Sequence, residues 1–226
     1  VARRVAKETA IHERRVSIPS VAVAEFARQV FERFENKRIL VVGAGEMADE
    51  TLRYLQKEGA RDATIINRSP ERAAELARRR GGRVKSWEDL LSELAAVDLV
   101  VTATGAPEAI VTKSDFERVA RARQGRTLVI LDLAVPRDVD PEIGNRPGVY
   151  LYSVDDLQAA CERNRRERES ELPKALQIID DETDRFMAEL NFREVSPVIG
   201  RLQQTWEQPK EEELLRLLNK LPHLDE

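Results

Sequence analysis

Five short runs of Val, Ile and Leu, at 39–42, 63–66, 99–102, 128–133 and 149–152, alternate with charged stretches of helical composition at about 46–58, 70–80, 87–95 and 113–122. This rhythm constrains the fold more than any other feature. The runs lack polar alternation, as strands do when both faces of a parallel sheet are covered. Strand–helix alternation of that kind predicts an α/β domain built on a doubly wound parallel sheet across 37–152. The 226 residues leave room for one such domain and an appendage, with a core that needs neither disulfide nor metal. The single Cys161 excludes a disulfide framework and a cysteine-rich zinc site, which suits a reducing, cytoplasmic setting. His12 and His223 lie too far apart to promise a metal centre, so no metal site is expected. A net charge of −4 supplies no overall basic field for nucleic acid or membranes. No apolar run approaches the roughly 20 residues of a membrane span, and no signal peptide opens the chain. The first residue, Val1, reads as the start of a trimmed chain.

The flanks differ in texture. Residues 1–36 carry Val21, Val23, Ala24, Ala27, Val30, Phe31 and Phe34 at helical spacing, a linker and helix expected to pack on the α/β domain. After Tyr152 the sheet rhythm stops. Ser153 followed by Asp155 and Asp156 predicts a helix start, with carboxylates at the positive end of the dipole. A long helix is expected over 153–194, in which Leu172, Leu176, Ile179, Thr183, Phe186 and Leu190 recur at alternating steps of four and three. That is the seam of a helix that wants a partner helix. Pro173 lies inside it and is expected to kink or split it, at a cost of about 3 kcal/mol. Residues 195–226, with Pro197, Gly200 and Pro209, form a small all-α segment whose Leu214, Leu215, Leu217, Leu218 and Leu221 need covering by a partner subunit or further chain.

The strongest local motif is Gly43-Ala44-Gly45-Glu46-Met47-Ala48, placed directly after a buried strand and opening a helix. In that context G-x-G-x-x-A marks a dinucleotide site. The first glycine permits the tight turn, the second lets backbone amides approach a pyrophosphate, and the alanine keeps helix and strand close. The sheet is therefore Rossmann-like. At the end of the second strand Asn67-Arg68-Ser69 stands where an NAD binder tends to place an acid. Asn67 can bond the ribose, while Arg68 and Ser69 suit a 2′-phosphate through charge-assisted hydrogen bonds. NADPH is the expected cofactor, with Arg72 as either reinforcement or an ordinary solvated charge.

Thr102 and Thr104 end the fourth strand and are expected to line the cofactor, a plain strand-end turn being the alternative. Asp132 and Arg137 follow the fifth strand as a structural ion pair or as a docking point over the nicotinamide. No nucleophile–base pair emerges, so no catalytic residue is assigned in this chain. Cys161 reads as a semi-buried helix residue, and Arg163, Arg165, Arg166 and Arg168 as a solvated basic face or a nucleic-acid contact.

These stretches resemble the glutamyl-tRNA reductase family. They are Lys7-Glu8-Thr9-Ala10-Ile11, the glycine motif, Asn67-Arg68-Ser69-Pro70-Glu71-Arg72-Ala73, the run 132–141 with Pro136-Arg137-Asp138, and the run 150–157 with Asp155-Asp156-Leu157. Together they cover nearly all of residues 5–190. The last two are the most specific, since a shikimate-dehydrogenase-like NADP domain is not expected to carry them. The resemblance implies an N-terminal catalytic domain bearing a cysteine that forms a thioester, an NADPH domain, and a C-terminal dimerisation domain on a spinal helix. It implies reduction of glutamyl-tRNA to glutamate-1-semialdehyde in tetrapyrrole biosynthesis, a homodimer, and the next pathway enzyme as a further partner. This chain would be the cofactor-binding and partial dimerisation portion, inactive alone. A shikimate-dehydrogenase-like NADP domain is the enzymatic alternative, and a regulatory or scaffold module using the same nucleotide fold is the non-enzymatic one.

Overall fold

The computed structural model describes residues 1–12 and 15–220, which divide into two compact units: 12–169, and 1–11 together with 170–226. In the first unit six strands form one sheet: β1 (Arg38–Val42), β2 (Asp62–Ile66), β3 (Arg83–Lys85), β4 (Leu99–Thr102), β5 (Leu128–Asp132) and β6 (Val149–Ser153). Their order is β3-β2-β1-β4-β5-β6, and every pairing is parallel. The order reverses direction at β1, which opens a crevice between the carboxyl ends of β1 and β4.

The period-two geometry of a strand explains the unbroken apolar runs. Ile39 and Val41, Leu99 and Val101, Val129 and Leu131 enter one core cluster; Leu40 and Val42, Val100, Leu128 and Ile130 enter the other. The first cluster is covered by α4 (Glu46–Lys57) and α5 (Pro70–Arg80), the second by α6 (Leu90–Ala96) and α7 (Lys113–Arg123). Burying each large aliphatic side chain stabilises the domain by about 1.5–3 kcal/mol. β3 is absent from the sequence expectation because all three of its residues are exposed and two are cationic.

The N-terminal helical segment also differs from its expectation. It comprises α2 (Ile18–Val21), a π-helical turn Ala22–Ala27 and α3 (Arg28–Val30), preceded by α1 (Ala2–Glu8) in the other unit. The wider turn takes in an extra residue, and Val21, Ala22, Val23 and Ala27 all reach the first cluster. The helix stops at Val30. Phe31 is extended, and Phe34 reaches the core from the following loop. Asn164 ties this segment down by donating to the Arg15 carbonyl at 2.7 Å and to Glu25.

α8 spans Val154–Lys220 and starts as expected: Ser153 N–H and Oγ–H both donate to Asp156, at 2.8 and 2.7 Å. Pro173 does not split it, and the helix runs on through Pro197 and Pro209. Each proline removes one hydrogen bond out of many, and 67 residues of helix absorb that loss. In the second unit Arg4 of α1 bonds Glu182 at 2.6 Å and Glu8 at 2.9 Å, and the Ala10 N–H donates to Glu171 at 3.1 Å. Of the apolar seam, Leu172, Leu176, Ile179, Phe186 and Leu190 are exposed, as are Leu214, Leu215, Leu217 and Leu218; Leu221 and His223 lie outside the described residues. No helix among the described residues is long and apolar enough to cross a membrane.

Candidate dinucleotide site

The crevice begins with the turn after β1. Gly43 has φ +110°, and a Cβ there would lie 2.4 Å from the Ala103 carbonyl oxygen, so no other residue fits without moving backbone. Its N–H donates to the Ile66 carbonyl at 2.8 Å, and Ala103 N–H donates to Val42 at 2.9 Å, which sews the ends of β1, β2 and β4 together. Gly45 is the opposite case. A Cβ added there meets nothing within 4 Å, because it faces the open crevice. Gly45 is also the N-cap of α4 and offers no side-chain cap, so the amides around Glu46 and Met47 have no side-chain acceptor. An anion is the natural complement of such a helix start. Ala48 is fully buried and holds α4 against the sheet.

From the end of β2, Asn67 donates its amide to the Ser69 carbonyl at 2.9 Å, shaping the entry into α5. Ser69 caps α5 by accepting from Arg72 N–H at 3.4 Å, and its hydroxyl donates to Glu71 at 2.7 Å. That hydroxyl bond holds the Glu71 carboxyl below its usual range. The Arg68 guanidinium lies 5.2 Å from the centroid of Trp87, over the ring. No acid stands at this strand end, and among the described residues neither Arg68 nor Arg72 pairs with a carboxylate.

The opposite wall comes from the end of β4. Thr102 is a correction to expectation: it is fully buried, donates to Asp132 at 2.9 Å, and does not line the crevice. Thr104 does line it, held by Asp138, which accepts from both its N–H at 3.0 Å and its hydroxyl; the hydroxyl in turn accepts from Ala106 N–H at 3.1 Å. Burial pushes the Asp138 carboxyl up, against the pull of these Thr104 bonds. Asp132 and Arg137 do not pair. Asp132 is buried and accepts from Thr102 and from the N–H groups of Ala134, Asp138 and Val139, whereas Arg137 bonds Asp155 at 2.9 Å and Ser153 at 3.3 Å. Both carboxylates brace the β4–β5 edge from inside.

The result is a cleft of about 340 Å³ between these walls. It brings together Ala44, Gly45, Asn67, Arg68, Ser69 and Thr104, with Arg72 as its second cation and Trp87 as its one aromatic side chain. Gly43, Ala48 and Thr102 support it from behind. Uncapped amides on one side and two guanidiniums on the other fit a dinucleotide carrying a pyrophosphate and a further phosphate. Trp87 and Asp138 were not among the expected site residues. Trp87 follows the strand that the pattern hid, and burial of Asp138 leaves no trace in composition. A larger hollow, about 600 Å³, lies along 30–37, where Lys37 Nζ sits 4.4 Å over the Phe31 ring; it gathers no helix N-terminus, and its cations Arg33 and Lys37 share it with Glu32 and Glu35.

Outside the cleft, burial and then Glu25 and Glu162 raise the Cys161 thiol, the wrong direction for a nucleophile. His12 is exposed. Among the described residues no group of three or more His, Cys, Asp or Glu could hold a metal.

Comparison with known proteins gives the chain its family. Residues 25–160 match the family model for shikimate/quinate 5-dehydrogenase, and residues 174–226 match that for the glutamyl-tRNAGlu reductase dimerisation domain. The chain is 51% identical over 220 residues to a glutamyl-tRNA reductase of Rhodopirellula baltica, covering 97% of this chain and 52% of that one. It is 40% identical to one from Syntrophobacter fumaroxidans, over 100% of this chain and 49% of the relative. The solved glutamyl-tRNA reductase from Methanopyrus kandleri superposes with a TM-score of 0.79 at 35% identity, over 97% of this chain and 55% of that one. The chain thus spans about half the length of the relatives it matches, and it belongs to the glutamyl-tRNA reductase family.

Proposed function

We propose that these residues form the NADPH-binding and dimerisation portion of an enzyme that reduces glutamyl-tRNA to glutamate-1-semialdehyde for tetrapyrrole biosynthesis in the cytoplasm. In this reading residues 37–152 bind the cofactor, with the segment from Ile18 to Phe34 packed on them; 153–194 are the spinal helix, and 195–226 begin the dimerisation domain. The observation that carries it is the pairing, in one cleft, of the Gly45 helix start with Asn67, Arg68 and Ser69. The α4 amides hold the pyrophosphate, and Asn67 bonds the ribose. Arg68, Ser69 and Arg72 hold the 2′-phosphate, for which Ser69 turns its hydroxyl away from Glu71. Thr104, fixed by Asp138, lines the side toward the nicotinamide, whose hydride the bound cofactor supplies for the reduction. A second copy of α8 covers the exposed seam, and the aldehyde product passes to the next enzyme of the pathway. The dimerisation-domain match over 174–226 favours this reading over a shikimate-type dehydrogenase.

The test is activity by reconstitution. Alone, the chain should bind NADPH and reduce no glutamyl-tRNA. Fused behind the N-terminal half of the Rhodopirellula baltica relative, it should reduce glutamyl-tRNA with NADPH. A folded fusion that binds NADPH but leaves glutamyl-tRNA unreduced would contradict the proposal.

A further inference from the structure

We infer that Trp87 is a positioning residue that sets NADPH preference by holding the Arg68 guanidinium ready for the 2′-phosphate. This rests on the nucleotide reading above and adds to it a residue on the third strand-end, outside the glycine motif and the Asn67–Ser69 turn.

The geometry follows from sheet register. β2 and β3 run parallel with Thr64 opposite Arg83, Ile65 opposite Val84 and Ile66 opposite Lys85. Continued by two residues, that register sets Arg68 opposite Trp87. The indole does not float. Trp87 opens a 3₁₀ turn, Trp87–Asp89, closed by a capping box in which the Ser86 N–H and hydroxyl both donate to Asp89, at 3.2 and 3.0 Å. The ring packs, partly buried, against the cluster containing Leu90 and Leu94. Its remaining face lines the cleft, with the Arg68 guanidinium 5.2 Å from its centroid.

Arginine has many rotamers, and a free one loses that freedom on gripping a phosphate. A cation over an indole face is attracted by the ring quadrupole, more strongly with tryptophan than with any other aromatic residue. Among the described residues no carboxylate lies within ion-pair distance of Arg68, although its charge reaches the buried Asp138 carboxyl and pulls its pKa down. Trp87 therefore fixes the guanidinium plane without neutralising it, which a carboxylate would do while repelling the phosphate. Because the guanidinium meets only the 2′-phosphate, the effect falls on NADPH and spares NADH.

The experiment measures NADPH and NADH dissociation constants for this chain and for Trp87→Leu, Trp87→Phe, Arg68→Met and the double variant Trp87→Leu/Arg68→Met. Trp87→Leu should weaken NADPH about five- to tenfold and NADH less than about twofold, and Trp87→Phe should recover most of the loss. In the Arg68→Met background, Trp87→Leu should have little further effect on NADPH, because the two act through one contact. A spectroscopic readout accompanies binding. In a Trp206→Phe background, excitation of the remaining indole should yield emission from bound reduced nicotinamide, lost in Trp87→Leu/Trp206→Phe. Retained NADPH preference in Trp87→Leu, or equal loss of both nucleotides, overturns the inference and leaves the cofactor reading standing. If the unmutated chain binds neither nucleotide, the cofactor reading falls and this inference with it.

Discussion

Gly43 and Gly45 stand two positions apart in one motif and carry opposite constraints. Gly43 needs its positive φ and its missing side chain for the fold itself, while Gly45 borders open space at the start of α4. Gly43→Ala should therefore cost about 2 kcal/mol or more of stability, from backbone strain and the clash with Ala103. Gly45→Ala should change stability by less than about 1 kcal/mol yet weaken nucleotide binding, as its methyl enters the pyrophosphate path. Urea denaturation and nucleotide titration of both variants separate the two roles; equal effects on stability would contradict them. The motif itself was readable from sequence because its spacing encodes local backbone geometry. Thr102 was misplaced because sequence marks a strand end without saying which face a side chain takes, and Thr102 points inward to Asp132. The paired buried carboxylates Asp132 and Asp138 were hidden for a related reason. Their burial depends on Thr102, Thr104 and loop amides that meet only in three dimensions.

Strands β1, β2, β4 and β5 announce themselves through apolar runs, since both faces of a central strand lie in core; the edge strand β6 shows the same kind of run, although of its residues only Ser153 is buried. β3 does not: Arg83 and Lys85 belong to an exposed edge, although the helical stretch from Trp87 that follows it was legible. The helices followed their charged, amphipathic stretches closely, and α8 continues through its prolines because a long helix tolerates the loss of single bonds. Contacts between elements were beyond reach of the pattern. The clearest joins α4 to α5: Asp49 accepts from Arg80 at 2.5 Å and from Arg79 at 3.1 Å. The Arg80 hydrogen bond, more than the other nearby cations, holds the Asp49 carboxyl below its usual range. A carboxylate depressed in the folded state stabilises above the unfolded value of about 3.9 and loses that contribution as pH falls through the lower folded value. Thermal unfolding against pH should show Asp49→Asn less stable than the parent near neutrality, with the gap closing below about pH 4. A gap independent of pH would assign the effect to packing.

The chain joins a domain whose core is closed to a helix whose apolar face is open. In the first unit the described core residues are covered on both faces of the sheet. In the second, Phe186 is 59% exposed and Leu190 37% exposed on a seam that its own unit does not cover. If a second copy covers that seam, the double variant Phe186→Asp/Leu190→Asp should shift the chain from dimer to monomer in sedimentation equilibrium. Its NADPH affinity should stay within about twofold of the parent, since neither residue lies in the cleft. A parent chain that is monomeric at high concentration would contradict this. The measurement to make before the others is calorimetric titration of the purified chain and of Arg68→Glu with NADPH and with NADH. NADPH should bind at least about tenfold more tightly than NADH to the parent, and Arg68→Glu should erase that preference while leaving NADH binding nearly unchanged. Equal affinities in the parent, or a preference that survives Arg68→Glu, would show that the Asn67–Ser69 turn does not receive the 2′-phosphate.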